Sequence, residues 1–211
     1  MIKKFVVGPL DVNCYLIADK DAGECAIIDP GGNPKELKEA IDSTGGALKY
    51  IINTHGHFDH VGGNAGVKKL FPDAAIMVHK EDALLLRQTK EYASNFGLTA
   101  EASPAPDSLL EEGTPVLIGS KKLEVLHTPG HTLGGVCLYL ADDGVLFTGD
   151  TLFAGSIGRT DLPGGSFETL MQSIKEKILT LPGSTLVYPG HGDASSIGNE
   201  KRANQYVNEL L

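Results

Sequence analysis

The chain has 211 residues and no apolar run approaching the ~20 that a membrane-spanning helix needs. Its start, Met1-Ile2-Lys3-Lys4-Phe5-Val6-Val7-Gly8-Pro9, follows two lysines with a patch too short for a signal-peptide core. No Lys/Arg-rich run occurs, and 27 acids against 18 bases give a net charge of -9. A surface of that sign disfavours a phosphate backbone, so nucleic-acid binding is not expected. Cysteine is scarce and odd in number. Cys14, Cys25 and Cys137 sit in apolar, strand-like runs without metal-site spacing. They read as buried free thiols in a reducing compartment, so the expectation is a cytoplasmic protein. Low-complexity segments are absent too. What remains is a chain of one-domain size with an ordinary apolar fraction of 41%.

The pattern alternates strands and helices. Phe5–Val7, Cys14–Ala18 and Glu24–Ile28 read as strands between turns at Gly8-Pro9 and Asp29-Pro30-Gly31-Gly32. Asn33-Pro34 reads as an N-cap with Pro at the first helical position, and Leu37, Ala40 and Ile41 supply an apolar stripe. Leu48–Ile52 is a buried strand, Gly63–Leu70 a helix, Ala75–Val78 a strand and Glu81–Phe96 a helix. Leu98–Glu112, with Pro104 and Pro106, reads as a surface loop. Val116–Ile118, Leu123–Leu126, Val136–Leu140 and Val145–Thr148 are strands. Helices at Phe167–Leu179 and Glu200–Leu210 flank a strand at Thr185–Tyr188. Strand, strand, strand, helix, strand, loop recurs in both halves without a fixed period, which suggests two sheets with helices outside each.

Histidine is rare as well, seven in all, yet five of the seven fall in glycine-flanked turns. Thr54-His55-Gly56-His57-Phe58-Asp59-His60 packs three imidazoles and a carboxylate into six residues. His131 follows Pro129-Gly130, Asp150 follows Gly149, and His191 follows Pro189-Gly190. Residues two apart on an extended chain point the same way, so His55 and His57 can share one metal. Asp59 and His60 come after the chain turns and can face a second. The expected sets are His55, His57 and His131 on one ion, and Asp59, His60 and His191 on the other. Asp150 has two oxygens with which to bridge them. Each ion then keeps an open position for water, and two ions roughly 3.5–4 Å apart share a hydroxide for hydrolysis. His79 and His127 lie outside this pattern and read as structural.

The pattern His-x-His-x-Asp-His, with later Gly-His, Gly-Asp and Gly-His, resembles the metallo-β-lactamase superfamily over nearly the whole chain. The resemblance implies an α/β (α+β) fold, a four-layer αββα sandwich over residues 1–211, with the metals at the sheet edge. The true lactamases carry Cys where this chain has Asp150, so antibiotic hydrolysis is not expected. The diiron flavoproteins carry Glu in place of His57 and a following flavodoxin-like domain, neither of which is expected here. Gly149-Asp150-Thr151-Leu152-Phe153 and Gly158-Arg159 are similar to the glyoxalase II branch, the hydroxyacylglutathione hydrolases. That branch adds a carboxy-terminal helical domain for glutathione, which this chain is not expected to have. Its basic residue that grips glutathione is matched by Arg159, and Asp161 stands where a neighbouring Tyr would be.

The resemblance therefore implies a thioesterase acting on a small-molecule thioester. Asp59 would orient the attacking hydroxide, and Arg159 would hold a substrate carboxylate. Two divalent ions are implied, zinc first, with iron or manganese also suited to an all-nitrogen-and-oxygen donor set. The leaving thiolate, whose acid has a pKa of about 8.5, departs with little protonation. The rival reading is a persulfide dioxygenase, which Gly158-Arg159-Thr160-Asp161 also resembles. Its single iron would sit on His55, His131 and Asp150. Hydrolysis of another ester is the third reading.

Overall fold

The computed structural model describes residues 1–210. β1 (Ile2–Val7), β2 (Val12–Asp19) and β3 (Glu24–Ile28) form an antiparallel meander. α1 (Pro34–Asp42) then carries the chain back so that β4 (Ala47–Ile52) lies parallel to β3, a reversal that needs a crossover. α2 (Phe58–Val61) and α3 (Asn64–Leu70) lead to β5 (Ala75–His79), and α4 (Ala83–Asn95) leads to β6 (Ser108–Leu110). Both of these strands extend the sheet in parallel, giving the order β1-β2-β3-β4-β5-β6.

The second sheet begins with antiparallel β7 (Val116–Ile118), β8 (Lys121–His127), β9 (Val136–Leu140) and β10 (Val145–Gly149). A small hairpin of β11 (Leu152–Phe153) and β12 (Ser156–Ile157) follows, then α5 (Phe167–Ser173). β13 (Leu186–Pro189) joins β10 in parallel, and β14 (Ser195–Ser196) closes the edge before α6 (Ile197–Ala203) and α7 (Gln205–Asn208). The sheet order is β14-β13-β10-β9-β8-β7.

Three apolar cores define four layers, and the period of two along β2 sorts its side chains between them. Cys14 and Leu16 pack on the helix side with Leu37, Ile41, Val67 and Leu86. Tyr15 and Ile17 face the other sheet, where they meet Leu138 and Phe147. On the far side of the second sheet, Cys137, Leu146 and Val187 pack against Leu170, Ile174, Ile197 and Val207. A strand covered on both faces has no polar side, which is why β2 is buried throughout. This is the αββα sandwich expected from the sequence.

Some local expectations are corrected. The segment read as a loop at Leu98–Glu112 contains edge strand β6, whose three residues are too few to register as a pattern. Asn33 holds the N-cap position of α1 with Pro34 following it, but its side chain bonds none of the helix N–H groups. Its backbone is left-handed (φ 52) and its Nδ2 donates to Glu36 Oε2 at 3.0 Å. The helix at Phe167–Leu179 widens over Ile174–Ile178, where the Leu179 N–H bonds the Ile174 carbonyl five residues back. The closing helix breaks at Asn204, because that side chain is pinned between Ser156 O (3.0 Å) and Glu200 Oε2 (2.8 Å).

β4, β8, β10 and β13 all deliver their following loops to one edge of the sandwich. There the sheets are stitched together. Asn13 N donates to Gly190 O at 2.7 Å and Val136 N to Thr54 O at 2.8 Å.

Candidate metal centre

All seven expected metal-site side chains converge on that edge. Donor atoms of His55, His57 and His131 lie within 4.8 Å of one another, and so do those of Asp59, His60 and His191. A third such group, His55, His60 and Asp150, overlaps both. Asp150 faces both ways. Its Oδ2 is 3.5 Å from His131 Nε2 and 3.7 Å from His191 Nε2, while its Oδ1 is 3.3 Å from His60 Nε2. Gly190 makes this approach possible, since a Cβ there would stand 2.4 Å from Asp150 Oδ1 and 2.6 Å from His60 Cε1.

The outer hydrogen bonds fix which nitrogen faces inward. Thr54 Oγ1 gives its one proton to Asp29 Oδ2 at 2.6 Å, so it accepts from His55 Nδ1 at 3.1 Å. His60 Nδ1 likewise donates to Asp29 Oδ2 at 3.0 Å, and His131 Nδ1 to the Arg159 carbonyl at 2.8 Å. Each of these imidazoles turns its Nε2 to the centre, as a metal ligand held by an outer acceptor does. Among the described residues three buried side-chain atoms lack a hydrogen-bond partner, and two of them, His55 Nε2 and Asp150 Oδ1, lie in this cluster. Buried polar atoms are normally satisfied. Orphans at the middle of a His/Asp cluster are what metal ligation would satisfy, so the residues present fit divalent ions.

The electrostatics agree. Burial opposes charge on His60, but Asp150, Asp59 and Asp29 push its imidazole well above the ordinary value. Burial opposes ionisation of Asp150 as well, yet His60 and the neighbouring imidazoles hold it well below the carboxylate range. His57 goes the other way, pushed down to about 4 by burial and by His131. Burial and the surrounding imidazoles likewise hold His55 well below its usual value. Charge is thus favoured around His60 and Asp150 and disfavoured on His55 and His57.

Several contributors were invisible to motif reading. Asp29 belongs to a turn in the sequence pattern, and its one local signal is that an acid ends the apolar strand Ala26-Ile27-Ile28. Asn13 Nδ2 donates to Pro189 O (3.0 Å) and Gly192 O (2.9 Å), and Tyr15 Oη to Pro189 O (2.7 Å), which grips the His191 loop. A cavity of about 470 Å³ opens over the cluster, walled by Leu10, Phe58, Leu85, Tyr92, Phe96 and Leu162, with Arg159 at its rim. No residue of Leu98–Glu112 lines it. Arg159 lies where the sequence suggested, but it is exposed and bound through Nε and Nη2 to the two Asp161 oxygens, both at 2.7 Å. His79 and His127 stay apart from the cluster and stack on each other at 4.1 Å.

Residues 7–191 match the model of the metallo-beta-lactamase superfamily, and the chain belongs to that superfamily. An uncharacterised protein of Aquifex aeolicus is 42% identical over 213 residues, covering 100% of this chain and 99% of that protein. The hydroxyacylglutathione hydrolase GloC of Haemophilus influenzae is 40% identical over 197 residues, 93% of this chain and 92% of GloC. Among solved structures, the BLEG-1 B3 metallo-beta-lactamase superposes with a TM-score of 0.91 at 36% identity, covering 98% and 99% of the two chains. TTHA1623 in a di-iron-bound form gives 0.89 at 38% identity, covering 97% and 99%. ETHE1 from Myxococcus xanthus gives 0.80 at 25% identity, covering 99% of this chain and 85% of its own.

Proposed function

We propose that this chain is a binuclear metal-dependent hydrolase that cleaves small-molecule thioesters of the hydroxyacylglutathione type. The observation that carries the proposal is the pair of donor groups flanking Asp150, with His55 Nε2 and Asp150 Oδ1 left orphaned. One ion is assigned to His55, His57 and His131, the other to Asp59, His60 and His191, with Asp150 between them. Zinc is the first candidate. Iron or manganese also suits these donors, and the relative TTHA1623 is described with two irons. Bound here, the ions would lower the pKa of a water and polarise the substrate carbonyl.

The chain's own residues do the rest. Asp59 lines the cavity and lies 3.3 Å from His191 Nε2. It holds the attacking water in line and takes its proton. The apolar wall from α4 excludes bulk water from the carbonyl. Arg159 turns from Asp161 to a carboxylate of the substrate, a bidentate contact its planar fork suits. The leaving thiolate needs no acid at its back, because its conjugate thiol has a pKa of about 8.5. The 40% identity to GloC supports the thioester class.

Two other readings have support. The segment Gly158-Arg159-Thr160-Asp161, which resembles that of the persulfide dioxygenases, supports an iron dioxygenase on His55, His131 and Asp150. Similarity to BLEG-1 keeps a β-lactam in view despite Asp150. A panel separates them: S-lactoylglutathione, a simple aryl ester, a cephalosporin, and oxygen uptake with glutathione persulfide. Preference for the thioester by at least tenfold in kcat/KM supports the proposal. Preference for the cephalosporin, or oxygen uptake without thioester turnover, overturns it.

A further inference from the structure

We propose that Asp82 is a positioning residue that sets the distance between the two loops of the His55, His57 and His131 group. The inference rests on the metal reading above. Asp82 stands where α4 begins, the place at which an aspartate ordinarily caps a helix. It does not cap this one, since its side chain makes no bond to the helix's own N–H groups. The carboxylate turns the other way. Its Oδ2 accepts from Gly56 N at 2.8 Å and from Thr132 Oγ1 at 2.7 Å, and its Oδ1 accepts from Gly134 N at 2.7 Å.

Those three donors come from two loops far apart in sequence. Gly56 lies between His55 and His57, and Thr132 directly follows His131. One oxygen therefore holds both loops of the first donor group, in which His57 Nδ1 and His131 Nε2 stand 2.9 Å apart. The approach is built for this contact. Asp82 is fully buried, and a Cβ on Gly134 would lie 2.7 Å from its Cγ. All three donors are neutral, so the fit depends on geometry and not on a counter-ion. A buried carboxylate accepting several such bonds is costly to leave unmatched. Asn in its place must turn an NH2 towards at least one N–H or O–H donor.

The group of Asp59, His60 and His191 takes its outer support elsewhere, from Asp29 and from Asn13 and Tyr15. Asp29 reaches both groups, through Thr54 to His55 and directly to His60, whereas Asp82 bonds only the loops of the first. A change at Asp82 therefore acts on the first group.

The test is titration of metal-stripped protein with Co(II) against a competing chelator, comparing the native chain, Asp82→Asn, Thr132→Val and Thr132→Ser. Cobalt absorption reports ligand geometry, and the shifted imidazole N–H signals of bound cobalt assign each binding step to its histidines. In Asp82→Asn the step assigned to His55 and His131 weakens by about 10–100-fold, as loss of an outer-shell partner does. The step assigned to His60 and His191 stays within about threefold on the same scale. If Asp82→Asn does not fold, the Thr132 pair decides. Thr132→Val weakens the first step several-fold with altered absorption, and Thr132→Ser, which keeps the hydroxyl, restores both. Folded variants with native affinities and spectra overturn the proposal, as does equal weakening of both steps. A native chain that binds no cobalt overturns the metal reading and this inference together.

Discussion

The carboxylate of Asp59 is pulled below its ordinary pKa by His60 and His191 against the opposing effect of burial. That favours its anion, the form that ligates a cation and accepts a hydrogen bond from water. Asp59→Asn keeps the size and removes the charge. It should lower kcat by a factor on the order of 10²–10⁴, the range for losing a positioned acid–base group. Steady-state kinetics on the metal-loaded variant is the check, and native turnover would remove Asp59 from the mechanism. Arg159 makes a different prediction. Arg159→Gln should raise KM for S-lactoylglutathione about tenfold, the cost of one charge-assisted bond, and leave kcat nearly unchanged. A fall in kcat with constant KM would place Arg159 at the reacting atoms instead.

Between elements, the question is what keeps two sheets in register at the metal edge. At that edge β2 reaches across with Asn13, whose amide bonds two carbonyls of the His191 loop. Asn13→Ala should cost about 1–3 kcal/mol, read by chemical denaturation, and should weaken metal binding at His191 more than at His131. At the opposite end Asp19 ties the β2–β3 turn to the β7–β8 turn, accepting from Ser120 N and Oγ and from Asp21 N and Ala22 N. These bonds, from the Ser120 hydroxyl first, lower its pKa to about 2. A lowered folded-state pKa stabilises at pH above the unfolded value of about 3.9, and that contribution fades as pH falls towards 2. The Tm difference between the native chain and Asp19→Asn should accordingly be full near pH 6 and shrink between pH 4 and 2. A difference independent of pH would contradict the assignment.

The seven donor positions were legible in the sequence because each sits in a short motif with glycine beside it, and strand ends carry such motifs to one edge. The layers were legible because β2 and β10 are apolar on both faces. Asp29 and Asp82 were not legible. Each acts on loops distant in sequence; Asp29 has only the local hint of an acid closing an apolar strand, and Asp82 has none. The cavity wall was hidden for the same reason, since Leu85, Tyr92 and Phe96 read only as helix until α4 is docked. β6 escaped because an edge strand of three residues is held by the neighbouring β5 and has no pattern of its own.

On the scale of the molecule, the four layers hold an edge at which buried imidazoles and carboxylates crowd together, a costly arrangement without cations. Metal should therefore stabilise the fold as well as enable catalysis. A ligand at ~1,000 times its Kd adds about 4 kcal/mol. For a chain of this size that raises Tm by about 8–16 °C. Calorimetry before and after chelation checks this, and an unchanged Tm would mean that the cluster binds no ion under those conditions. No described helix is long and apolar enough to cross a membrane. The central claim is that two ions act together at this edge on a thioester. Its most direct test is to titrate the metal-stripped chain with Zn(II) while following hydrolysis of S-lactoylglutathione. Turnover should climb to a plateau at two equivalents per chain; a plateau at one equivalent, or full turnover in excess chelator, would contradict joint action of two ions.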